Sequence, residues 1–195
     1  MYFTEDELTC MSDREFLLTK AIVMDKMQSV FAEIRDHLLT ISRENQKNWS
    51  SEIDFNSGKI SKGENYLSLP YMVLDFPSYF SKKNIFAYRT MFWWSNYFSA
   101  TLHLGGNYLS EWRTNTLENM ELLTEHGIYI CTGQSQWEHD LESDDHDKLS
   151  AKHEELIRDW PFLKLSVKIS LSDVDILSER VGNFWKLIQS IKSNG

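Results

Sequence analysis

IFAYRTMFWWSNYFSATLHLGG, residues 85–106, carries seven aromatic side chains, one arginine and one histidine in two adjoining strand-like runs. So apolar a stretch must pack on both sides, which places it at the centre of the fold. Ser95 and Asn96 separate the runs, and Asn tolerates positive φ, so the spacing predicts a two-residue hairpin. Gly105 and Gly106 end the second strand.

Residues opposite one another in a hairpin share a face. A turn at Ser95-Asn96 puts Tyr88 directly across from His103. One face then holds Phe86, Tyr88, Thr90, Phe92 and Trp94 beside Tyr97, Ser99, Thr101 and His103. The other holds Ala87, Met91 and Trp93 beside Phe98, Ala100, Leu102 and Leu104, with Arg89 as the intruder. The first face mixes rings, hydroxyls and an imidazole. That suits a largely apolar ligand fixed by a few polar groups, and it equally suits an ordinary face under a helix. The candidate ligand residues are Tyr88, Thr90, Trp94, Tyr97, Thr101, His103 and Arg89. Arg89 needs a partner, because a buried unpaired guanidinium is costly. It ion-pairs with a carboxylate such as Asp75, stacks on Trp93, or meets an anionic ligand.

Working outward, residues 163–171 alternate cleanly. Leu163, Leu165, Val167, Ile169 and Leu171 face one way, while Lys164, Ser166, Lys168 and Ser170 face the other, predicting a strand with one wet face. Further strands are expected at 67–75, with Pro70 favouring an edge or a strand start, and at 128–133. A helix is expected over about 13–45, with Ser12 and Glu15 at capping-box spacing. Others are expected around Leu109–Leu123 and Leu149–Trp160, and after Ser172. Gly127 sits where a helix C-cap glycine belongs. Residues 48–65 read as a loop, with room for a short hairpin. The order α-β-β-β-α-β-α-β-α predicts an α+β fold: a mainly antiparallel sheet of about five strands under packed helices. At 195 residues the chain suits one domain.

Composition narrows the function classes. Net charge is −9, and the six carboxylates of residues 138–147, EHDLESDDHD, leave only −3 for everything else. An acidic chain without a basic stripe is repelled by phosphate backbones and anionic lipid, so neither nucleic acid nor membrane is an expected partner. The acidic run is expected to be a solvated, mobile loop. It lacks the spacing of an EF-hand or a zinc-protease helix, so no metal is expected. Cys10 and Cys131 form no CxxC pair and read as reduced thiols, which with the absence of a leader pattern points to the cytoplasm. There is no G-x-S-x-G elbow, and no cofactor motif.

The blocks KGENYLSLPYMVLDFP (62–77) and NIFAYRTMFWWSNYFSATLHLGG (84–106), in that order, resemble a family of uncharacterised bacterial proteins associated with Bacteroidota. That resemblance implies a cytoplasmic bacterial protein and brings no catalytic residues. Three readings follow. The leading one is a non-catalytic module binding a small molecule or a protein. The second is an enzyme using Tyr88 and His103 as an acid/base pair, with Arg89 or Lys62 holding an anionic substrate. The third is a structural or regulatory protein whose aromatics form a homo-oligomer interface.

Overall fold

The computed structural model describes residues 2–193 and shows an α+β fold built on one antiparallel sheet. In chain order the strands are β1 (Lys59–Tyr66), β2 (Leu69–Phe80), β3 (Ile85–Trp93), β4 (Tyr97–Gly105), β5 (Tyr129–Cys131), β6 (His146–Lys148) and β7 (Phe162–Ile169). They lie in the order β1-β2-β3-β4-β7-β5-β6. Seven strands replace the expected five or so. The two extra ones are β1, a polar edge strand inside the expected loop, and β6, a three-residue strand at the end of the acidic run. Neither carries the apolar alternation that marks a strand in sequence.

The N-terminal helix is broken in two: α1 (Glu5–Ser12) and α2 (Arg14–Ser42). Asp13, not Ser12, caps the longer helix by accepting from the Phe16 N–H at 2.9 Å. The Ser12 hydroxyl instead donates back to the Leu8 carbonyl. Thr4 and Glu7 form the capping box of α1. Further on come α3 (Leu109–Glu118), α4 (Met120–Glu125), α5 (Glu154–Asp159) and α6 (Leu177–Ser193). Gly127 follows α4 at φ +63°, as its place after the helix predicts.

One face of the sheet is covered by α2 and α6. Met24, Met27, Phe31, Ile34 and Leu38 of α2 and Val181, Trp185 and Ile188 of α6 are buried with Phe86, Tyr88, Leu102, Leu104 and Leu165. Trp185 stacks on Trp49 at 5.1 Å and donates to the Ser42 hydroxyl at 2.9 Å, so its indole N–H is satisfied inside the core.

The central hairpin has three turn residues, Trp94, Ser95 and Asn96, because Trp93 pairs with Tyr97. Ser95 carries the positive φ, at 63°. The two-residue turn sits elsewhere, at Leu67-Ser68 between β1 and β2, with both residues at positive φ. The extra residue shifts β4 by one position, and a one-residue shift exchanges faces. Tyr88 therefore lies opposite Leu102, and His103 opposite Ala87. The physical reason is burial. This register gathers Phe86, Tyr88, Phe92, Phe98, Ala100, Leu102 and Leu104 on the helix side. The expected register would have set Ser99, Thr101 and His103 among those rings.

Candidate functional site

The opposite face of the sheet is polar, and it is roofed. β2 contributes Asp75, β3 Arg89, β4 Thr101 and His103, and β7 Lys164 and Ser166, all facing the same way by register. Residues 132–145, joining β5 to β6, fold back over them. Leu141 anchors this roof, buried at 3% exposure among Val73, Met91, Trp93 and Tyr97. Gly133 is needed for closure, since a Cβ there would lie 2.3 Å from Asp145 Oδ1. The acidic run is thus a packed cover rather than a free loop. Its carboxylates point outward or into hydrogen bonds while its backbone and histidines face the sheet. Lys164, expected in water, is only 1% exposed, whereas Lys168 stays at the surface and pairs with Glu142.

Arg89 sits at the centre of this layer. Its Nε and Nη2 donate to the two oxygens of Asp75 at 2.7 and 2.9 Å, a bidentate pair. Nη1 lies 3.0 Å from His139 Nε2, and the other ring nitrogen, Nδ1, faces Lys164 Nζ at 3.4 Å. Lys164 also donates to the Glu138 carbonyl. A neutral imidazole carries one N–H and one lone pair. Whichever tautomer His139 adopts, it therefore presents an N–H to one of the two bases unless Lys164 is a neutral amine. Burial pushes the lysine down to about 8, and the neighbouring Arg89 charge acts in the same direction.

The histidines here are held neutral. Burial, then the Lys164 charge, pushes His103 down to about 3. The same two causes push His146 down to about 4, and they drop His139 well below its ordinary value. His103 Nε2 meets the Gln136 side-chain oxygen at 3.1 Å, with Trp137 edge-on to its ring at 5.4 Å. Burial works against a charge on Glu138, yet hydrogen bonds from the Tyr66 hydroxyl and from the Asp140 and His139 N–H groups hold its carboxyl below the usual range. The Cys131 thiol is raised by burial, which makes it a poor nucleophile. Arg89 is tied to Asp75 and Lys164 to the Glu138 carbonyl, whereas both ring nitrogens of the buried His146 have no hydrogen-bond partner. The layer is a closed polar core.

An open groove of about 750 Å³ lies at its edge. β4 pairs with β7 as far as Ile169, but β5 pairs with β7 only at Leu165 and Ser166. The stretch from Val167 to Ile169 is thus left without a neighbour on that side, and Gly127 turns the incoming chain away. Ile128, Phe184 and Leu187 make an apolar floor, and Lys148, Lys168 and Arg180 stand around it. No Asp or Glu lines the groove. Each of the three cations already has a partner, that of Lys148 within the groove lining and those of Lys168 and Arg180 outside it. Lys148 donates to the Gly127 carbonyl at 2.6 Å and lies 3.6 Å over the Tyr129 ring. Arg180 is 3.7 Å from Asp173, and Lys168 reaches Glu142.

The sequence-derived site residues scatter. Tyr97 lines the groove and also ties down the roof, accepting from the Leu141 N–H at 2.6 Å. Arg89, Thr101 and His103 belong to the roofed layer, where Thr101 shares a hydrogen bond with Ser166. Tyr88 and Thr90 lie on the helix side, away from His103. There Tyr88 donates to the Val181 carbonyl at 2.7 Å, and the Thr90 hydroxyl is buried without a hydrogen-bond partner. Trp94 sits in the turn against Phe92 and Phe16. Lys62 is exposed on β1, opposite Met72 and so on the helix side. The proposed Tyr88–His103 pair does not exist, for the register reason given above. Sequence reading missed His139, Lys148, Lys164 and Arg180. Only the last helix held a signal for the groove, since Arg180, Asn183, Phe184 and Leu187 recur at helical spacing.

Among the described residues, no group of three or more His, Cys, Asp or Glu side chains could hold a metal ion, and no helix is long and apolar enough to cross a membrane. Compared with family models, with curated proteins and with solved structures, the chain matches none.

Proposed function

We propose that the protein is a non-catalytic binding module that takes an amphipathic anion in the groove between β7, β5 and α6. One observation carries the reading. A chain of net charge −9 gathers Lys148, Lys168 and Arg180 around an apolar floor with no carboxylate in its lining, Glu142 and Asp173 meeting two of the three from outside it. A volume of about 750 Å³ lies within the usual range of ligand sites, roughly 300–1,000 Å³. The floor supplies apolar contact, and the cations supply orientation and discrimination against neutral ligands. The enzyme reading loses its acid/base pair, and Arg89 is committed to Asp75.

Anilinonaphthalene sulfonate, an apolar dye with one negative charge, is a direct probe. Its fluorescence titration with the native protein should saturate, and the double variant Lys168→Glu, Arg180→Glu should weaken binding by about tenfold or more. Equal binding by the variant would remove the groove as the site.

A further inference from the structure

A second orphan surface lies at the same end of the sheet. No residue of α1 is buried, and Leu8, Met11, Phe16, Leu17, Leu18 and Ile22 are all between 44% and 65% exposed. Leu8 and Met11 on α1, and Leu18 and Ile22 one turn apart on α2, are exposed apolar pairs, which suits an interaction site better than scattered single residues would. The surface is also acidic, since Glu5, Asp6 and Glu7 fill the first turn of α1. Leu8 and Met11, three residues apart, share one side of the helix, and Glu5 and Glu7 border that strip on either side. The arm is therefore an apolar strip between carboxylates, and the groove is an apolar floor between cations. Phe16 rests edge-on against Trp94 at 6.5 Å, and Asn96 from the same turn lines the groove. Arm and groove thus flank one corner of the molecule.

We infer that the groove's occupant is the N-terminal arm of a second copy of this chain. Leu8 and Met11 of one protomer lie over Ile128, Phe184 and Leu187 of its partner, and Glu5 and Glu7 face Lys148, Lys168 and Arg180. This is an amphipathic helix laid into a groove, with anchors at i and i+3. Exchanged reciprocally about a two-fold axis, the contact closes as a dimer and covers both orphan surfaces at once. The assignment rests on the groove being a site for amphipathic anions, and it names which one.

Light scattering on the full chain, eluted from a sizing column at loadings from about 1 to about 100 μM, tests it. The wild type should be dimeric at the upper end. Leu8→Glu with Met11→Glu, and separately Lys168→Glu with Arg180→Glu, should each raise the dissociation constant by about tenfold or more. All four positions are exposed or at a groove rim, and circular dichroism should show unchanged folding. Combining Glu5→Lys with the groove reversals should restore part of the association, Glu7 being kept because its carboxylate completes the capping box of α1. A wild type that stays monomeric throughout overturns the inference. So does a dimer indifferent to the groove reversals, or one that the charge exchange fails to rescue. The dye titration separates this from failure of the groove itself. A monomer whose dye binding still depends on Lys168 and Arg180 sinks only the arm, whereas loss of that dependence sinks both.

Discussion

The two faces of the sheet come from the same four central strands by the same alternation, and they are built on opposite principles. On the helix side, Tyr88 is fully buried among rings and aliphatic chains, its hydroxyl bonded to one backbone carbonyl. On the roofed side, Asp75, His103 and Lys164 are buried and Arg89 is partly so, with their charges and ring nitrogens tied to each other and to residues 136–139. The first face is held by shape and apolar area, and tolerates loss in proportion to the volume removed. The second is held by pairing, and removing one partner strands the other. Burial does not imply one kind of core.

That contrast can be broken experimentally, and the largest effect should come from the polar side. Asp75→Ala leaves the Arg89 guanidinium buried without its counter-ion and should cost about 3–5 kcal/mol in urea unfolding. Replacing both partners with apolar residues, Asp75→Leu with Arg89→Met, should cost clearly less than the single change. A double variant as damaged as Asp75→Ala would mean that the pair is not the unit of stability.

Leu102→Ala, on the helix side, should cost about 2–5 kcal/mol by the cavity it leaves, and it should do so equally at pH 7 and pH 5. The roofed side should not be so indifferent. His103 and His146 have folded values of about 3 and about 4, below their ordinary value near 6.5. Their contribution to stability is complete above about pH 6.5 and is lost as pH falls toward those folded values, because the unfolded chain binds the protons first. Each histidine should add a slope of up to about 1.4 kcal/mol per pH unit between pH 6 and 4. His103→Asn should remove one such increment from the slope of unfolding free energy against pH; an unaltered slope would place that titration elsewhere.

The smallest effects belong to single groups that the comparison treats as local. Tyr88→Phe removes one neutral hydrogen bond within an intact apolar site and should cost about 1 kcal/mol. Lys168→Glu, at the groove rim, should move stability by no more than about 0.5 kcal/mol despite its effect on binding.

Much of this architecture is legible in the residues. The period of two in 163–171, the apolar runs around the central turn and the helical pattern over about 13–45 each express a local preference together with one burial requirement. Those suffice for an antiparallel α+β sheet under helices, for the Asp75 partner of Arg89 among its three readings, and for Gly127 as a helix terminator. What the sequence could not carry was the covering of the polar face. Whether Lys164 meets water or His139 depends on where residues 132–145 fold, and nothing near Lys164 records that. The register of the central hairpin was likewise decided at a distance, because the choice between two and three turn residues was made by which rings could reach α2 and α6. The groove exists only because β5 stops short along β7 while α6 passes alongside. Local pattern sets how each segment folds. Only packing between segments far apart in the chain decides which of their faces stays dry, which is paired and which is left open.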